Sequence, residues 1–121
     1  MTPSDVLKTL DKTMAMKTGD WLEKQLKNDE NIILIDLRNQ SLWEEEHIEK
    51  SINVTIQELP DKIDSLIPHK DSIIICICNG SIQSAMAVMY LRTKDYSNSF
   101  NLSGGFSSWI RNERPTISNN A

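Results

Sequence analysis

Two uninterrupted apolar runs constrain this chain more than anything else in it: Ile32-Ile33-Leu34-Ile35-Asp36-Leu37 and Ile73-Ile74-Ile75-Cys76-Ile77-Cys78. A strand with one wet face alternates apolar and polar residues, because its side chains point to opposite faces in turn. Short runs that are apolar on both faces and rich in β-branched residues predict strands covered on both sides. Such strands belong to parallel sheets with helices packed on each face. The segments around them carry helical spacing. Leu59, Ile63, Leu66 and Ile67 predict a helix over 57–67, with Pro60 in its first turn. Another is predicted from about Gln83 to Lys94, through Ala85, Val88 and Met89; it is apolar over much of its girth and should pack closely on the sheet. Thr18 is a candidate cap for a helix with Trp21, Leu22 and Leu26 on one side. Leu7, Leu10 and Met14 predict a short N-terminal helix, a helical turn is predicted over 41–46, and Gly104-Gly105 leads into a last helix with Phe106, Trp109 and Ile110. Ile52-Asn53-Val54 and Phe100 to Leu102 are shorter candidate strands, and the polar tail after Pro115 is predicted to fray.

The chain has 121 residues, which suits one domain and is too few for two ordinary ones. A domain of this size buries roughly two-thirds of the surface it exposes when unfolded, so it needs no metal or disulfide staple. Thirteen Lys and Arg against 17 Asp and Glu give a net charge of -4, which disfavours binding to nucleic acid or an anionic membrane. The longest run without a charge, Ser72 to Leu91, is interrupted by Asn79, Gly80, Ser81, Gln83 and Ser84 and does not read as a membrane span. Met1 to Leu10 carries Asp5 and Lys8 and lacks the apolar centre of a signal peptide, so the expected location is the cytoplasm.

The two cysteines, Cys76 and Cys78, are one residue apart, which excludes a disulfide framework. A zinc site wants four ligands, and only His47 and His69 could join them, so no metal is expected. A redox pair of the two would strain disulfide geometry. Cys76, between isoleucines in mid-strand, reads as a small buried hydrophobe. Cys78 differs. It ends a buried strand, and the small-residue loop Asn79-Gly80-Ser81-Ile82-Gln83-Ser84 leads from it into a helix. In parallel sheets ligands bind beyond the carboxyl ends of the strands, which here means the loops after Leu37 and after Cys78. Gly80 can take backbone angles closed to other residues. Loop N–H groups and the positive end of the next helix would favour a thiolate at Cys78, or hold a sulfur carried on it.

The loop Cys78-Asn79-Gly80-Ser81-Ile82-Gln83-Ser84 resembles the Cys-x-x-Gly-x-Arg-Ser signature of the rhodanese-like domain family at Cys78, Gly80 and Ser84. Asp36-Leu37-Arg38 is similar to the family's Asp-x-Arg, and His47-Ile48 to the end of its aromatic-x-x-Gly-His-Ile segment. Asn53 matches a further block, and Leu102, Gly104, Gly105 and Trp109 reproduce Leu-x-Gly-Gly-x-x-x-Trp. The blocks fall in family order over roughly residues 14–115.

The resemblance implies an α/β fold, a single domain over 1–121 with a central parallel sheet of about five strands flanked by helices on both faces. It implies a sulfurtransferase or sulfane-sulfur carrier in which Cys78 forms a persulfide cradled by Asn79 to Ser84, with no cofactor. The expected partners are a small sulfur donor, thiosulfate or a persulfide, and a thiol or protein acceptor. Asp36 and Arg38 are expected to support the site through an ion pair, mutual or with a neighbour, rather than to react, and His47 to make a structural hydrogen bond. Trp43 and Trp109 are expected in the core.

Two departures bear on activity. Gln83 stands where the family has arginine, and it supplies no charge for an anionic donor. Glu46 replaces a glycine and completes the acidic run Glu44-Glu45-Glu46, which either faces the mouth or forms a solvated helix face. A binding module that has lost turnover is therefore the alternative. A phosphatase would need arginine six positions after the cysteine, and that position is Ser84.

Overall fold

The computed structural model describes residues 1–28 and 31–119. Five parallel strands form one sheet in the order β1-β5-β4-β2-β3. They are β1 (Met16–Lys17), β2 (Ile32–Asp36), β3 (Ile52–Asn53), β4 (Ile73–Ile77) and β5 (Ser99–Leu102). The helices are α1 (Pro3–Thr9), α2 (Gly19–Asn28), α3 (Gln40–Glu45), α4 (Leu59–Leu66), α5 (Ile82–Thr93) and α6 (Gly105–Arg111). The fold expected from the two apolar runs is the one observed: they become β2 and β4, adjacent at the centre and in register from Ile32 opposite Ile73 to Asp36 opposite Ile77.

The strand alternation divides two cores. Ile35, Leu37, Ile74, Cys76 and Cys78 face one side, where α4 and α5 cover them with Leu59, Ile63, Ala87, Val88 and Leu91. Leu34, Ile75, Ile77 and Leu102 face the other, under Leu22 of α2 and Phe106 and Trp109 of α6. Burying a side chain of this size contributes about 1.5–3 kcal/mol, so the paired layers are the main source of stability.

Thr18 caps α2 as expected, its hydroxyl accepting the Trp21 N–H at 3.1 Å. Other expectations need correction. Leu7 and Met14 are exposed, and Val6 is the residue α1 buries, because the helix lies on α5 by its other edge. Met14 lies outside the helix; with Ala15 it takes left-handed backbone angles that lead into β1, a strand too short to show a pattern. Ala85 of α5 is exposed, as are Ile82 and Met86, so that helix is apolar on a side the sheet does not cover. The tail does not fray through Asn119. Ile117 and His47 exchange backbone hydrogen bonds of 2.8 and 2.9 Å, Asn119 donates to the Glu44 carbonyl, and Pro115 accepts from the Trp109 indole. Among the described residues no helix is long and apolar enough to cross a membrane.

Candidate active site around Cys78

Cys78 sits just past the carboxyl end of β4, on the middle strand of the sheet, only 5% exposed. It forms part of the floor of a cleft of about 470 Å³. One wall is Asn79 to Gln83; the other is Leu37, Arg38, Asn39 and Leu42 after β2, with Thr55 and Gln57 after β3. The expected loops therefore do converge, and the loop after β3, which the sequence reading passed over, joins them.

Ser84 lies behind the cysteine, fully buried at the start of α5. Its N–H donates to Cys78 Sγ at 3.4 Å, and its hydroxyl lies 3.2 Å from the same sulfur. That hydroxyl also donates to Asn101 Oδ1 at 2.6 Å, and Asn101 Nδ2 donates to the Ser81 carbonyl at 3.1 Å. Asn101 is buried on β5, and no sequence motif pointed to it. Asn79, Gly80 and Gln83 are exposed at the cleft, Ser81 is half-buried and Ile82 is 78% exposed.

Gly80 does not use the freedom that a glycine has to take left-handed angles, and a side chain there would meet open space. The conformational demand falls instead on Gly104 and Gly105, with φ of +74° and +61°. A Cβ on Gly105 would collide with the carbonyl oxygens of Gly80, Cys78 and Asn79. This close approach lets Phe106 and Ser107 donate their N–H groups to the Cys78 and Asn79 carbonyls at 2.7 and 3.0 Å.

Asp36 and Arg38 form a buried pair. The guanidinium donates through Nε and Nη2 to the carboxylate, at 2.9 Å for the shorter Nη2 contact, donates to the Glu46 carbonyl, and lies 3.8 Å over the Phe106 ring. Arg38 is the one charged residue in the cleft wall among the described residues, and Asp36 neutralises it. Asn53 Nδ2 donates to the Asp36 and Arg38 carbonyls, fixing the turn between them. His47 Nδ1 bonds the Trp43 carbonyl, and its ring stacks on that of Trp43, away from the cleft lining. Trp43 itself is half-buried, while Trp109 is buried. Glu44, Glu45 and Glu46 are not in the cleft wall; Glu46 accepts from the Thr116 hydroxyl.

Cys76 lies one turn of the pleat away on the same face, with no exposed surface. Burial pushes its thiol up to about 12. Both cysteines are free. Among the described residues no group of three or more His, Cys, Asp or Glu side chains could hold a metal ion.

A cysteine at the strand end, a loop tied to the next two elements and a buried Asp-x-Arg pair define a rhodanese-type domain. The family description Rhodanese-like domain matches residues 18–112, and the chain belongs to that family. It is similar to the tRNA uridine(34) hydroxylase of Photorhabdus laumondii, at 27% identity over 106 residues, 81% of this chain and 30% of that protein. The chain thus spans less than a third of the curated relatives it matches. A rhodanese-related protein of Thermoplasma volcanium superposes with a TM-score of 0.75 at 27% identity, covering 84% of this chain and 96% of that one. A thiosulfate sulfurtransferase of Pseudomonas aeruginosa gives a TM-score of 0.79 at 22% identity, covering 87% of this chain and 20% of that one.

Proposed function

We propose that this domain carries or transfers sulfane sulfur through a persulfide on Cys78. The observation that carries the reading is Cys78 Sγ on the floor of a cleft large enough for a small donor, with the Ser84 N–H directed at it. The Cys78 thiolate attacks the outer sulfur of a persulfide or of thiosulfate. An Sγ–S bond forms, the donor's S–S bond breaks, and a thiolate or sulfite leaves with the electron pair. A thiol or protein nucleophile then takes the outer sulfur and returns Cys78 as thiolate. Two half-reactions sharing one covalent intermediate give ping-pong kinetics. The reading rests on the cysteine's surroundings and does not extend to tRNA hydroxylation, because the chain spans under a third of the relatives so named.

The test is intact-protein mass after incubation with thiosulfate and, separately, with a polysulfide, beside Cys78→Ser and Cys76→Ser. A gain of one sulfur lost only in Cys78→Ser supports transfer. No gain from either donor overturns it.

The neutralisation of Arg38, the one charge among the described cleft residues, by Asp36 favours a second reading, a binding module without thiosulfate turnover. Gln83 is exposed at the mouth, so Gln83→Arg restores a cation without disturbing the core. Thiosulfate turnover that rises tenfold or more, about 1.4 kcal/mol of transition-state stabilisation, assigns the weakness to that charge. Unchanged turnover in a protein that still loads no sulfur supports the binding module.

A further inference from the structure

The Ser84 hydroxyl has one proton and three acceptors within reach: Asn101 Oδ1 at 2.6 Å, the Ser81 carbonyl at 3.3 Å and Cys78 Sγ at 3.2 Å. The orientation of the Asn101 amide is not free. The Ser81 carbonyl can only accept, so it takes the Asn101 NH2 group, at 3.1 Å. The amide oxygen is then left facing Ser84, and an amide oxygen also can only accept. The Ser84 proton therefore lies on the short bond to Asn101, and the hydroxyl turns a lone pair toward Cys78. A thiol can donate to that lone pair. A thiolate cannot, and is repelled by it until the hydroxyl rotates away from Asn101.

We infer that Asn101 is a positioning residue that restrains Cys78 through Ser84, by competing with the sulfur for the single Ser84 proton. Removing the Asn101 acceptor makes Cys78 a stronger nucleophile at neutral pH, the reverse of what losing a buried polar neighbour ordinarily does to a site. The Ser84 hydroxyl is then a two-position donor: held by Asn101 beside a neutral sulfur, turned to the sulfur when that sulfur carries charge. The strand fixes one partner and the helix the other, since Asn101 pairs with Cys76 across the sheet while its N–H is held by the Ala15 carbonyl at 2.8 Å.

Of the charged and titratable groups on the elements packed around Cys78, Asp61, Lys62 and Asp64 of α4 are exposed, Glu58 before them bonds Lys62 and Thr55, and the Tyr96 hydroxyl bonds Asp64 and the Ile67 carbonyl. Asp36 and Arg38 beyond β2 neutralise one another. Cys76 of β4 is held as a neutral thiol by burial. Lys17 of β1 lies over Trp21 and Phe100, and Arg92 at the far end of α5 bonds the Ser99 carbonyl. Arg111 is exposed in the last turn of α6. None of them bonds the Ser84 hydroxyl.

The inference rests on Cys78 as the nucleophile of the proposed reaction, and its test reads the thiol without requiring sulfur transfer. The rate of Cys78 alkylation by iodoacetamide is followed by intact mass from pH 5 to 10 in wild type, Asn101→Ala, Ser84→Ala and the double variant. Asn101→Leu, which keeps the side-chain volume and lacks the acceptor, covers the case in which the alanine variant does not fold. The expected result is a profile displaced to lower pH in Asn101→Ala or Asn101→Leu, with alkylation at pH 7 about three- to tenfold faster, because a hydrogen bond to a charged sulfur is stronger than one to a neutral amide. In the Ser84→Ala background the same Asn101 change leaves the profile unmoved. Slower alkylation, or an equal displacement with and without Ser84, overturns the inference. Sulfur loading measured in parallel separates the two readings: a displaced profile in a protein that never loads sulfur keeps the restraint and removes the transferase.

Discussion

Phe106 donates its backbone N–H to the carbonyl oxygen of Cys78 at 2.7 Å, joining the first turn of α6 to the base of the candidate catalytic loop. The contact exists because Gly105 has no Cβ and holds φ at +61°. Gly105→Ala forces a methyl into three carbonyl oxygens and a left-handed conformation at once. The expected loss is more than about 2 kcal/mol. Gly80→Ala, whose new methyl meets open space, is expected to change stability by less than about 1 kcal/mol. Urea denaturation of both variants measures the difference. Equal losses would show that the loop, not the glycine turn of α6, sets the local geometry.

The Asp36–Arg38 pair has no exposed carboxylate and a 5% exposed guanidinium. Asp36→Ala leaves a buried cation with only the Glu46 carbonyl and the Phe106 face, and is expected to cost about 3–5 kcal/mol. Asp36→Ala/Arg38→Met removes both charges and keeps apolar contact with Phe106, so it should recover part of that loss. A double variant no better than the single one would refute the buried-charge explanation.

Cys76 is expected to resist alkylation in the folded protein at every pH where Cys78 reacts. Burial raises its thiol to about 12, and none of its surface is exposed. In the unfolded chain a thiol ionises near about 8.5, so the stability associated with neutral Cys76 is full below that value and is lost progressively as pH rises toward about 12. Labelling with and without denaturant at pH 8, read by peptide mass, checks the first statement. Chemical denaturation of wild type and Cys76→Ala from pH 8 to 11 checks the second, the two converging as pH rises.

Acid stability should depend on Glu58. Hydrogen bonds from Lys62 and Thr55 hold its carboxyl down from 4.5 to about 2. A lowered carboxyl stabilises the fold above its unfolded value and loses that contribution as pH falls through its folded one. The window is therefore from about 4.5 down to about 2. Glu58→Gln should be less stable than wild type at pH 6 and indistinguishable from it near pH 2. A difference that persists at low pH would place the effect on packing at the start of α4 rather than on charge.

The two central strands were legible because burial on both faces leaves a run with no polar interruption. β1 was not, since two residues at a sheet edge show no periodicity. Spacing chose Leu7 and Met14 for the N-terminal helix, yet Val6 is buried, because tertiary packing on α5 selects the face. The strand-end rule located Cys78 and its loop. It also applied to Thr55 and Gln57 after β3, a strand that the residues 52–54 had suggested but whose following loop was not placed at the cleft. The Gly104-Gly105 turn was legible, but its close approach to the Cys78 loop was not, because which glycine lies against which backbone is set by a contact between distant segments. Asn101 was illegible for the same reason: nothing near it in sequence shows that it faces Ser84.

The sheet order gives the site a history as well as a shape. β4 stands between β2, which precedes it, and β5, which follows it. During synthesis Cys78 emerges on a strand with one neighbour missing, ahead of Asn101, Gly105 and Phe106. The bonds from Phe106 to the Cys78 carbonyl and from Ser84 to Asn101 therefore cannot close before residues 101–106 have been made, so the cysteine's surroundings are completed only by the C-terminal part of the chain.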